Sequence, residues 1–313
     1  MNATVELHVI IGSGALGMAL SRELLARRKR VRMVNRSGVA DVPTRVYVFR
    51  GNAADPATLR EACEDATVIY HCAQPSYKDW VATAPALMDG VIEAAAVSGA
   101  RVVYADSPWA YGPEPGPLTE ELRCRPSGVF GAVRARLAAR LMEAHQSGRV
   151  RATIGRAADF FGPFSRTSLL GRYVFDPAMG GRTIRVPGDP DLPHTYTYID
   201  DFARGLVVLA ERDESLGQAW HVPSAETVTT RCFVEMVLKE LGAQTRLQVA
   251  PRSGFTVRGW FDPAAKALNE TRQQRDRPFV LGHGKFQTAF GAETTPHPEA
   301  IRKTLEWWRQ NPA

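Results

Sequence analysis

Cysteine is scarce in this sequence, and long apolar runs are absent from it. The 313 residues include four cysteines, which are scattered without a C-x-x-C pair. This pattern favours neither a zinc site nor a disulfide framework, and it suits a reducing compartment. No stretch of about 18 uncharged apolar residues occurs, and residues 1–30 show no signal-peptide pattern. We therefore expect a cytoplasmic protein without a membrane partner.

A strong charge of one sign is also missing. The formal net charge of +6 permits an acidic or phosphorylated ligand but does not identify one. The one concentrated basic cluster, Arg27–Arg30, lies where the first predicted helix ends, and cations at a helix C-terminus favour the helix dipole. Nucleic acid is therefore not an expected partner.

The most informative stretch lies near the start, where three spaced glycines separate an apolar run from an apolar helix pattern. The run Val5–Ile11 predicts a buried parallel strand. Gly12 would allow a tight turn, Gly14 would let the backbone approach a pyrophosphate, and Gly17 would let the helix pack on the strand. The helix N-terminus would then offer amide donors to the phosphates. This arrangement predicts a dinucleotide site.

The residues after the second predicted strand indicate which dinucleotide is bound. An acidic residue at this place selects the free 2′-hydroxyl of NAD, whereas an arginine accommodates the 2′-phosphate of NADP. The sequence has Asn35-Arg36-Ser37 here and no acid. We therefore expect NADP (NADPH), with NAD as the less favoured cofactor. The alternative, in which Arg36 is a solvated loop residue, stays open.

Strand and helix patterns alternate through the first half of the chain. Further strands are predicted at 31–34, 46–49, 66–72 and 101–105, with a helix that begins at Asp55-Pro56 and another over 81–98. Asp55 would cap its helix, and His71 is interpreted as a structural residue at a strand end. This alternation predicts an α/β protein of Rossmann type, with a doubly wound parallel sheet.

Three segments give the chain a resemblance to a known family. They are Asp106–Pro113 after the fifth strand, Arg156–Pro163 with its Asp159, and Tyr196–Ala203. They are similar to the Ser-Ser-x-x-Val-Tyr-Gly, Arg-Pro-x-Asn-x-Tyr-Gly-Pro and Tyr-Val-Asp-Asp-x-Ala segments of the extended short-chain dehydrogenase/reductases, the NAD(P)-dependent epimerases and dehydratases. The resemblance extends through 264–308 and implies that Ser107 lies at the position of the catalytic serine.

The chain departs from that family at the reaction centre. The family uses a Tyr-x-x-x-Lys pair, and the matching register places Phe130 on the tyrosine and Arg134 on the lysine. The spacing still puts both residues on one helix face, one turn apart. Phenylalanine has no proton to move, and arginine stays protonated, so Arg134 can only bind and supply charge.

Two interpretations follow from this loss. In the first, the protein is an NADP-dependent oxidoreductase or epimerase of a small carbonyl, hydroxyl or nucleotide-sugar substrate, with a non-standard proton donor. Ser107 would polarise the substrate, and Tyr77, Tyr111, Asp106 or Asp159 would supply the proton. In the second, the protein is a catalytically silent NADP(H)-binding sensor or scaffold.

The remaining expectations concern organisation and partners. Residues 1–163 would form the NADP-binding domain and 164–313 a smaller substrate lobe, with 195–222 returning to the first domain. Asp200-Asp201 would cap a helix rather than bind metal, and no metal site is expected. Helices over 84–96 and 132–144 would form a homodimer interface, as relatives commonly do. The expected cofactor contacts are Gly12, Ser13, Gly14, Ala15, Leu16, Gly17, Asn35, Arg36, Ser37, Asn52, Ala73 and Arg134.

Overall fold

The computed structural model describes residues 6–250, 266, 269, 270 and 272–312. In chain order the elements are β1 Leu7–Ile11, α1 Ala15–Ala26, β2 Arg30–Asn35, β3 Val46–Arg50, α2 Pro56–Ala62, β4 Ala66–His71, α3 Trp80–Ser98, β5 Arg101–Asp106, α4 Val129–Gln146, β6 Arg151–Arg156, β7 Asp159–Phe161, α5 Asp176–Met179, β8 Ile184–Val186, β9 Pro193–His194, β10 Tyr196–Tyr198, α6 Ile199–Glu211, β11 Ala219–His221, β12 Val228–Thr229, α7 Thr230–Leu241, β13 Leu247–Val249, α8 Gly284–Phe290 and α9 His297–Gln310.

The chain divides into two compact units. The division does not follow a single cut, because each unit collects separate segments. Residues 108–132 and 157–163, which the sequence places in the first domain, cluster with unit 2. Unit 1 draws on Met1–Ser107, Val133–Arg156 and Ala203–Trp220, and unit 2 on Pro108–Ala132, Ala157–Phe202 and His221–Ala313.

A seven-stranded sheet forms the centre of unit 1, in the order β11-β6-β5-β4-β1-β2-β3. The pairs from β3 across to β6 are all parallel. Every residue of β1 is buried, as expected for a central parallel strand that is covered on both faces. The doubly wound α/β fold is therefore confirmed. The direction of winding reverses between β1 and β4, and ligands of such sheets bind at this switch point.

Local signals in the sequence set several of the element boundaries. Asp55 accepts hydrogen bonds from the amides of Ala57 and Thr58, so the predicted cap of α2 is confirmed. The first strand begins at Leu7 in the structure, and Val5 lies outside the described residues. Of the predicted closing segment 264–308, residues 264, 265, 267, 268 and 271 also lie outside them.

Helix α3 alone, among the described helices, is long and apolar enough to cross a membrane by length and composition. It packs against α2, β4 and β5, and its Met88 and Val91 are fully buried. A core helix that covers a large sheet has the same length and composition, and this packing is what such a helix requires.

The described residues of unit 2 form three two-stranded sheets, in which β7 pairs with β10, β9 with β12 and β8 with β13. Its main core is aromatic. Phe161 contacts Phe233 with ring centroids 4.9 Å apart, and Phe175 lies 6.0 Å from both Phe161 and Trp308. Helix α9, which carries Trp308, closes this core with Ile301 and Leu305.

The prediction that Asp200-Asp201 caps a helix is wrong in position, because α6 already begins at Ile199 and both aspartates lie in its first turn. Asp201 is buried and accepts hydrogen bonds from Thr295 N at 2.7 Å and Thr295 Oγ1 at 2.8 Å. Asp200 accepts one from Tyr198 Oη at 2.8 Å. The carboxylate of Asp201 therefore holds the segment before α9 rather than the end of its own helix.

Candidate functional site

The turn between β1 and α1 needs its glycines for different physical reasons. Gly12 has φ +107°, and a Cβ there would lie 2.9 Å from the backbone of Ala73. A Cβ at Gly17 would lie 2.1 Å from the carbonyl oxygen of Gly12. A Cβ at Gly14, in contrast, meets nothing within 4 Å. The turn therefore has no room for a side chain at Gly12 or Gly17. The space beside Gly14 is unfilled, and it lies next to the amides of Ala15 and Leu16 that begin α1.

The loop after β2 is organised by the side-chain amide of Asn35. Its Nδ2 donates to Ser13 Oγ at 3.0 Å and to Val39 O at 2.8 Å, and its Oδ1 accepts from Gly38 N at 2.7 Å. Ser37 Oγ donates to the same Oδ1 at 3.2 Å. Asn35 thus connects the glycine turn to the loop that would meet the adenosine ribose.

Arg36 lies at the surface of this loop, and the described residues give its guanidinium no hydrogen-bond or ion-pair partner. Asn52 lies at the surface after β3, where its Oδ1 accepts from Ala54 N at 3.1 Å. The predicted contacts thus lie at or just after the carboxyl ends of β1, β2 and β3, namely Ser13, Gly14, Asn35, Arg36 and Asn52.

A buried charge cluster lies at the ends of β5 and β6. The Asp106 side chain is fully buried, and its Oδ1 accepts from Arg134 Nη1 at 3.1 Å. Its Oδ2 accepts from Arg156 Nε at 2.9 Å. Both carboxylate oxygens are therefore engaged by guanidiniums, so Asp106 is poorly placed for the role of proton donor that the sequence left open for it.

Arg134 has two further contacts in unit 1. Its Nη2 donates to Gln74 Oε1 at 3.3 Å, and its guanidinium lies 4.6 Å from the centroid of the Trp80 ring. The ring of Tyr77 stacks on Trp80 with centroids 6.0 Å apart and an angle of 14° between the planes. The structure therefore brings Tyr77 and Arg134 to one tryptophan, in the segment that follows β4.

Ser107 follows β5 directly. Its hydroxyl is buried and has no hydrogen-bond partner among the described residues. A buried hydroxyl without a partner is rare in folded proteins, because the group gives up its hydrogen bonds to water, and a polar atom of a bound ligand can restore them. This property agrees with the predicted role of Ser107 in polarising a substrate, which stays a prediction.

His71, at the end of β4, is interpreted by the sequence as structural, and its surroundings suit that role. Burial, reinforced by the charge of Arg134, lowers its pKa to about 4. The ring stacks on Tyr104 at 5.1 Å. His71 is therefore neutral at physiological pH and packs as an aromatic ring.

In unit 2, Tyr111 is 1% exposed and its phenol is already engaged. The Tyr111 Oη lies 2.7 Å from His221 Nε2, and His221 Nδ1 lies 2.7 Å from the carbonyl oxygen of Gly282. Since that carbonyl can only accept, Nδ1 carries the proton and Tyr111 donates to Nε2. Sequence reasoning missed this pair, because 110 residues separate its members.

Phe130 is buried near the start of α4, and its amide donates to Glu270 Oε2 at 3.3 Å. Because Phe130 and Arg134 lie on one helix, they are one turn apart as the sequence predicts. Asp159 accepts a hydrogen bond from His194 Nε2 at 3.0 Å. Burial raises the pKa of Asp159, but His194 and the charge of Arg275 outweigh this effect and leave the pKa below its usual value. Asp159 is therefore unsuited to donate a proton at neutral pH.

Two arginines of the predicted substrate lobe have partners within unit 2. Arg166 lies over the rings of Trp307 and Trp308, and Arg182 pairs with Asp176. A separate cavity of about 360 Å³ occurs in this unit. Its charged lining is balanced between arginines and aspartates, namely Arg231, Arg272, Arg275, Asp189, Asp191 and Asp276.

Comparisons with known proteins agree with the fold. The sequence model of the NAD dependent epimerase/dehydratase family matches residues 9–222. Among curated protein sequences, none matches this chain. The solved structures that resemble it include dTDP-glucose 4,6-dehydratase DesIV from Streptomyces venezuelae with NAD and TYD bound, at 20% identity, TM-score 0.80 and 97% coverage of both chains.

Two further neighbours have the same TM-score of 0.80. UDP-glucose 4-epimerase from Thermus thermophilus, in complex with NAD, is 20% identical and covers 97% of this chain and 99% of its own. UDP-glucuronic acid 4-epimerase from Bacillus cereus, with UDP-glucuronic acid and NAD, is 16% identical with the same coverage. All three neighbours hold NAD, so the expected preference for NADP finds no support in them. At these identities the likeness shows the fold alone.

Proposed function

Because the chain belongs to the NAD-dependent epimerase/dehydratase family, we propose that it is an NADP(H)-dependent oxidoreductase or epimerase with a non-standard proton donor. The observation that carries this proposal is the joint contact of Tyr77 and Arg134 with Trp80. A phenol from the segment after β4 and a guanidinium from α4 thus contact the same tryptophan, although Phe130 has replaced the family's tyrosine. The substrate is a small carbonyl or hydroxyl compound or a nucleotide sugar.

The residues of unit 1 fit a dinucleotide. The open space at Gly14 leaves room for a diphosphate beside the first amides of α1. Gly12, Ser13, Gly14, Ala15, Leu16 and Gly17 would hold the diphosphate, Ala73 would pack against the turn, and Arg134 would bind the nicotinamide ribose. When bound, the nicotinamide supplies hydride transfer.

The choice of NADP rests on the loop after β2. Asn35 occupies the place where an acid would select the 2′-hydroxyl, and its amide is used to hold Ser13 and Val39. Arg36 is exposed, and the described residues leave its guanidinium unengaged. A guanidinium in this state can make bidentate hydrogen bonds to a 2′-phosphate without breaking an existing ion pair.

Tyr77 is the preferred proton donor among the groups that the sequence left open. Tyr111 donates to His221 within the core of unit 2, and Asp106 is bound between two guanidiniums. Tyr77 is only half-buried and shares Trp80 with Arg134. A nearby cation stabilises a phenolate, which is what a phenol needs to exchange a proton near neutral pH. Ser107, whose hydroxyl has no hydrogen-bond partner within the described part of the chain, polarises the substrate oxygen.

The substrate class is supported by the neighbours, which include a UDP-glucose epimerase and a dTDP-glucose dehydratase. The cavity of unit 2 gives further support, because its lining offers guanidiniums and carboxylates to polar groups. We assign substrate recognition to unit 2 and cofactor binding to unit 1.

Calorimetric titration with NADPH, NADP⁺, NADH and NAD⁺ tests the cofactor. We expect NADPH and NADP⁺ to bind at least about tenfold more tightly than their counterparts, the effect of about 1.4 kcal/mol. If no binding heat is detected with any of the four dinucleotides, the proposal is overturned. Equal affinities would remove the preference for NADP and leave the rest intact.

A turnover assay tests the reaction. Aldehydes, ketones, UDP-sugars and dTDP-sugars are incubated with each dinucleotide, and both NADPH absorbance and the NMR spectra of the products are recorded. The spectra are needed because an epimerase regenerates its cofactor and shows no net loss of NADPH. Binding without any turnover would favour the second candidate, a catalytically silent NADP(H) sensor. The replacement of the Tyr-x-x-x-Lys pair by Phe130 and Arg134 is the observation that favours this candidate.

A further inference from the structure

A cluster of buried charged side chains lies at the ends of β5 and β6. It contains one carboxylate, Asp106, and two guanidiniums, Arg134 and Arg156, whose side chains are 0%, 8% and 5% exposed. His71, which lies in the field of Arg134 and Asp106, is neutral because burial lowers its pKa to about 4. The cluster therefore holds two guanidiniums and a carboxylate in fixed contact at the carboxyl edge of the sheet.

The hydrogen bonds fix the orientation of each member. Asp106 and Arg156 lie opposite each other on paired strands, so the bond from Arg156 Nε holds the carboxylate in place. The other oxygen of Asp106 then accepts from Arg134 Nη1, while Gln74 accepts from Arg134 Nη2 and Trp80 lies against the guanidinium face. These hydrogen bonds and the contact with Trp80 help to define both the position and the plane of the Arg134 guanidinium.

This arrangement borders the glycine turn. Gln74 directly follows Ala73, whose backbone lies against Gly12. The contact with Gln74 therefore keeps Arg134 at the edge of the sheet where α1 begins. A lysine at position 134 could not make the same planar, two-pronged contact, since an ammonium is a point charge on a flexible stem.

We propose that Asp106 is a positioning residue, which sets the Arg134 guanidinium so that its positive charge acts on the bound dinucleotide and on an oxyanion that develops on the substrate. The inference rests on the proposed function, because it concerns the same site. It adds that the loss of the lysine is compensated by an acid at the end of β5. Asp106 acts only through Arg134, and it touches neither cofactor nor substrate.

A double-mutant cycle on the full chain separates positioning from simple stabilisation. The variants are Asp106→Asn, Arg134→Met and their combination, with NADPH affinity measured by fluorescence titration and stability by thermal unfolding. We expect each single change to raise the Kd for NADPH about tenfold, as the loss of a charge-assisted hydrogen bond does. In the Arg134→Met background, Asp106→Asn should raise it less than about twofold further.

Asp213→Asn is the matched control, because it removes a carboxylate from another arginine of unit 1, Arg101. It should leave the Kd unchanged. If Asp106→Asn does not fold, Gln74→Ala takes its place, since Gln74 is exposed and holds the same guanidinium. A Kd about threefold higher is expected for it.

Three results would overturn the inference. The first is a double variant whose increase in Kd for NADPH equals the product of the two single increases. The second is a lower melting temperature of Asp106→Asn with an unchanged Kd, and the third is an unchanged Kd for a folded Gln74→Ala. A wild-type protein that binds neither NADPH nor NADH would instead overturn the proposed function. The two failures are therefore distinguishable.

Discussion

The amide of Asn35 donates to the hydroxyl of Ser13 across 3.0 Å, which joins the end of β2 to the glycine turn after β1. The same side chain accepts from Gly38 N at 2.7 Å and so shapes the loop that presents Arg36. One uncharged residue thus replaces an acid and also orders the neighbouring loop. The proposed preference for NADP therefore depends on this whole connection rather than on Arg36 alone.

Substitution of Arg36 by alanine is expected to weaken NADPH binding about tenfold and to leave NADH binding within about twofold, because a guanidinium contacts only the 2′-phosphate. Calorimetry with both dinucleotides measures the two affinities. Arg45→Ala is the matched control, since Arg45 is an exposed arginine of the segment before β3. Equal losses for NADPH and NADH would contradict the assigned role.

Substitution of Asn35 by aspartate is expected to act in two ways. The carboxylate cannot donate to Ser13 or Val39, and it places a negative charge next to the site for the 2′-phosphate. The ratio of NADPH to NADH affinity should therefore fall at least about tenfold. A ratio that stays constant would show that the loop does not select the cofactor.

Two glycines of the turn should respond oppositely to alanine. A Cβ at Gly17 meets the Gly12 carbonyl oxygen at 2.1 Å, so Gly17→Ala is expected to lower the free energy of unfolding by about 1–3 kcal/mol. A Cβ at Gly14 meets nothing within 4 Å, so Gly14→Ala should leave stability nearly unchanged. It should nevertheless weaken dinucleotide binding, because the methyl group occupies the space proposed for the diphosphate. Denaturant unfolding and NADPH titration distinguish the two. Loss of stability in Gly14→Ala would show that this space belongs to the fold.

The features that could be predicted from the sequence are the local ones. The strand, turn and helix at the start, and the cap at Asp55, depend on residues within a few positions of one another. The misplaced cap at Asp201 shows the limit of such reasoning. Its hydrogen-bond partner, Thr295, lies 94 residues away, and no local pattern contains that contact.

The charge cluster of Asp106, Arg134 and Arg156 could not be predicted from the sequence for the same reason. Asp106 meets Arg134 and Arg156 across 28 and 50 residues, and the contacts depend on β5 lying next to β6. The sequence showed that Arg134 had replaced a lysine, but it did not show that an acid held the arginine. The available signal was an aspartate at the end of the predicted fifth strand, combined with an arginine at the position of the family's lysine.

Stability should fall in mild acid because of His71. Its folded pKa is lowered to about 4, so the unfolded chain, with an ordinary pKa near 6.5, binds the proton more readily. The penalty is absent above the unfolded pKa and grows as pH falls from about 6.5 to 4. His8, whose pKa burial also lowers to about 4, adds to it. In His71→Phe, the melting temperature should depend less steeply on pH in this window, and an unchanged slope would contradict the assignment.

The two candidate phenols make the decisive comparison for the reaction. Tyr77→Phe keeps the ring on Trp80 but removes the hydroxyl, so kcat should fall at least about a hundredfold while the Kd for NADPH stays unchanged. Tyr111→Phe removes the buried hydroxyl that bonds His221 Nε2, so stability should fall by about 1–3 kcal/mol with little change in kcat. Steady-state kinetics and thermal unfolding on both variants give the two patterns. Turnover that survives Tyr77→Phe would remove Tyr77 as the proton donor and direct the search to Ser107, whose buried hydroxyl has no partner among the described side chains and backbone atoms.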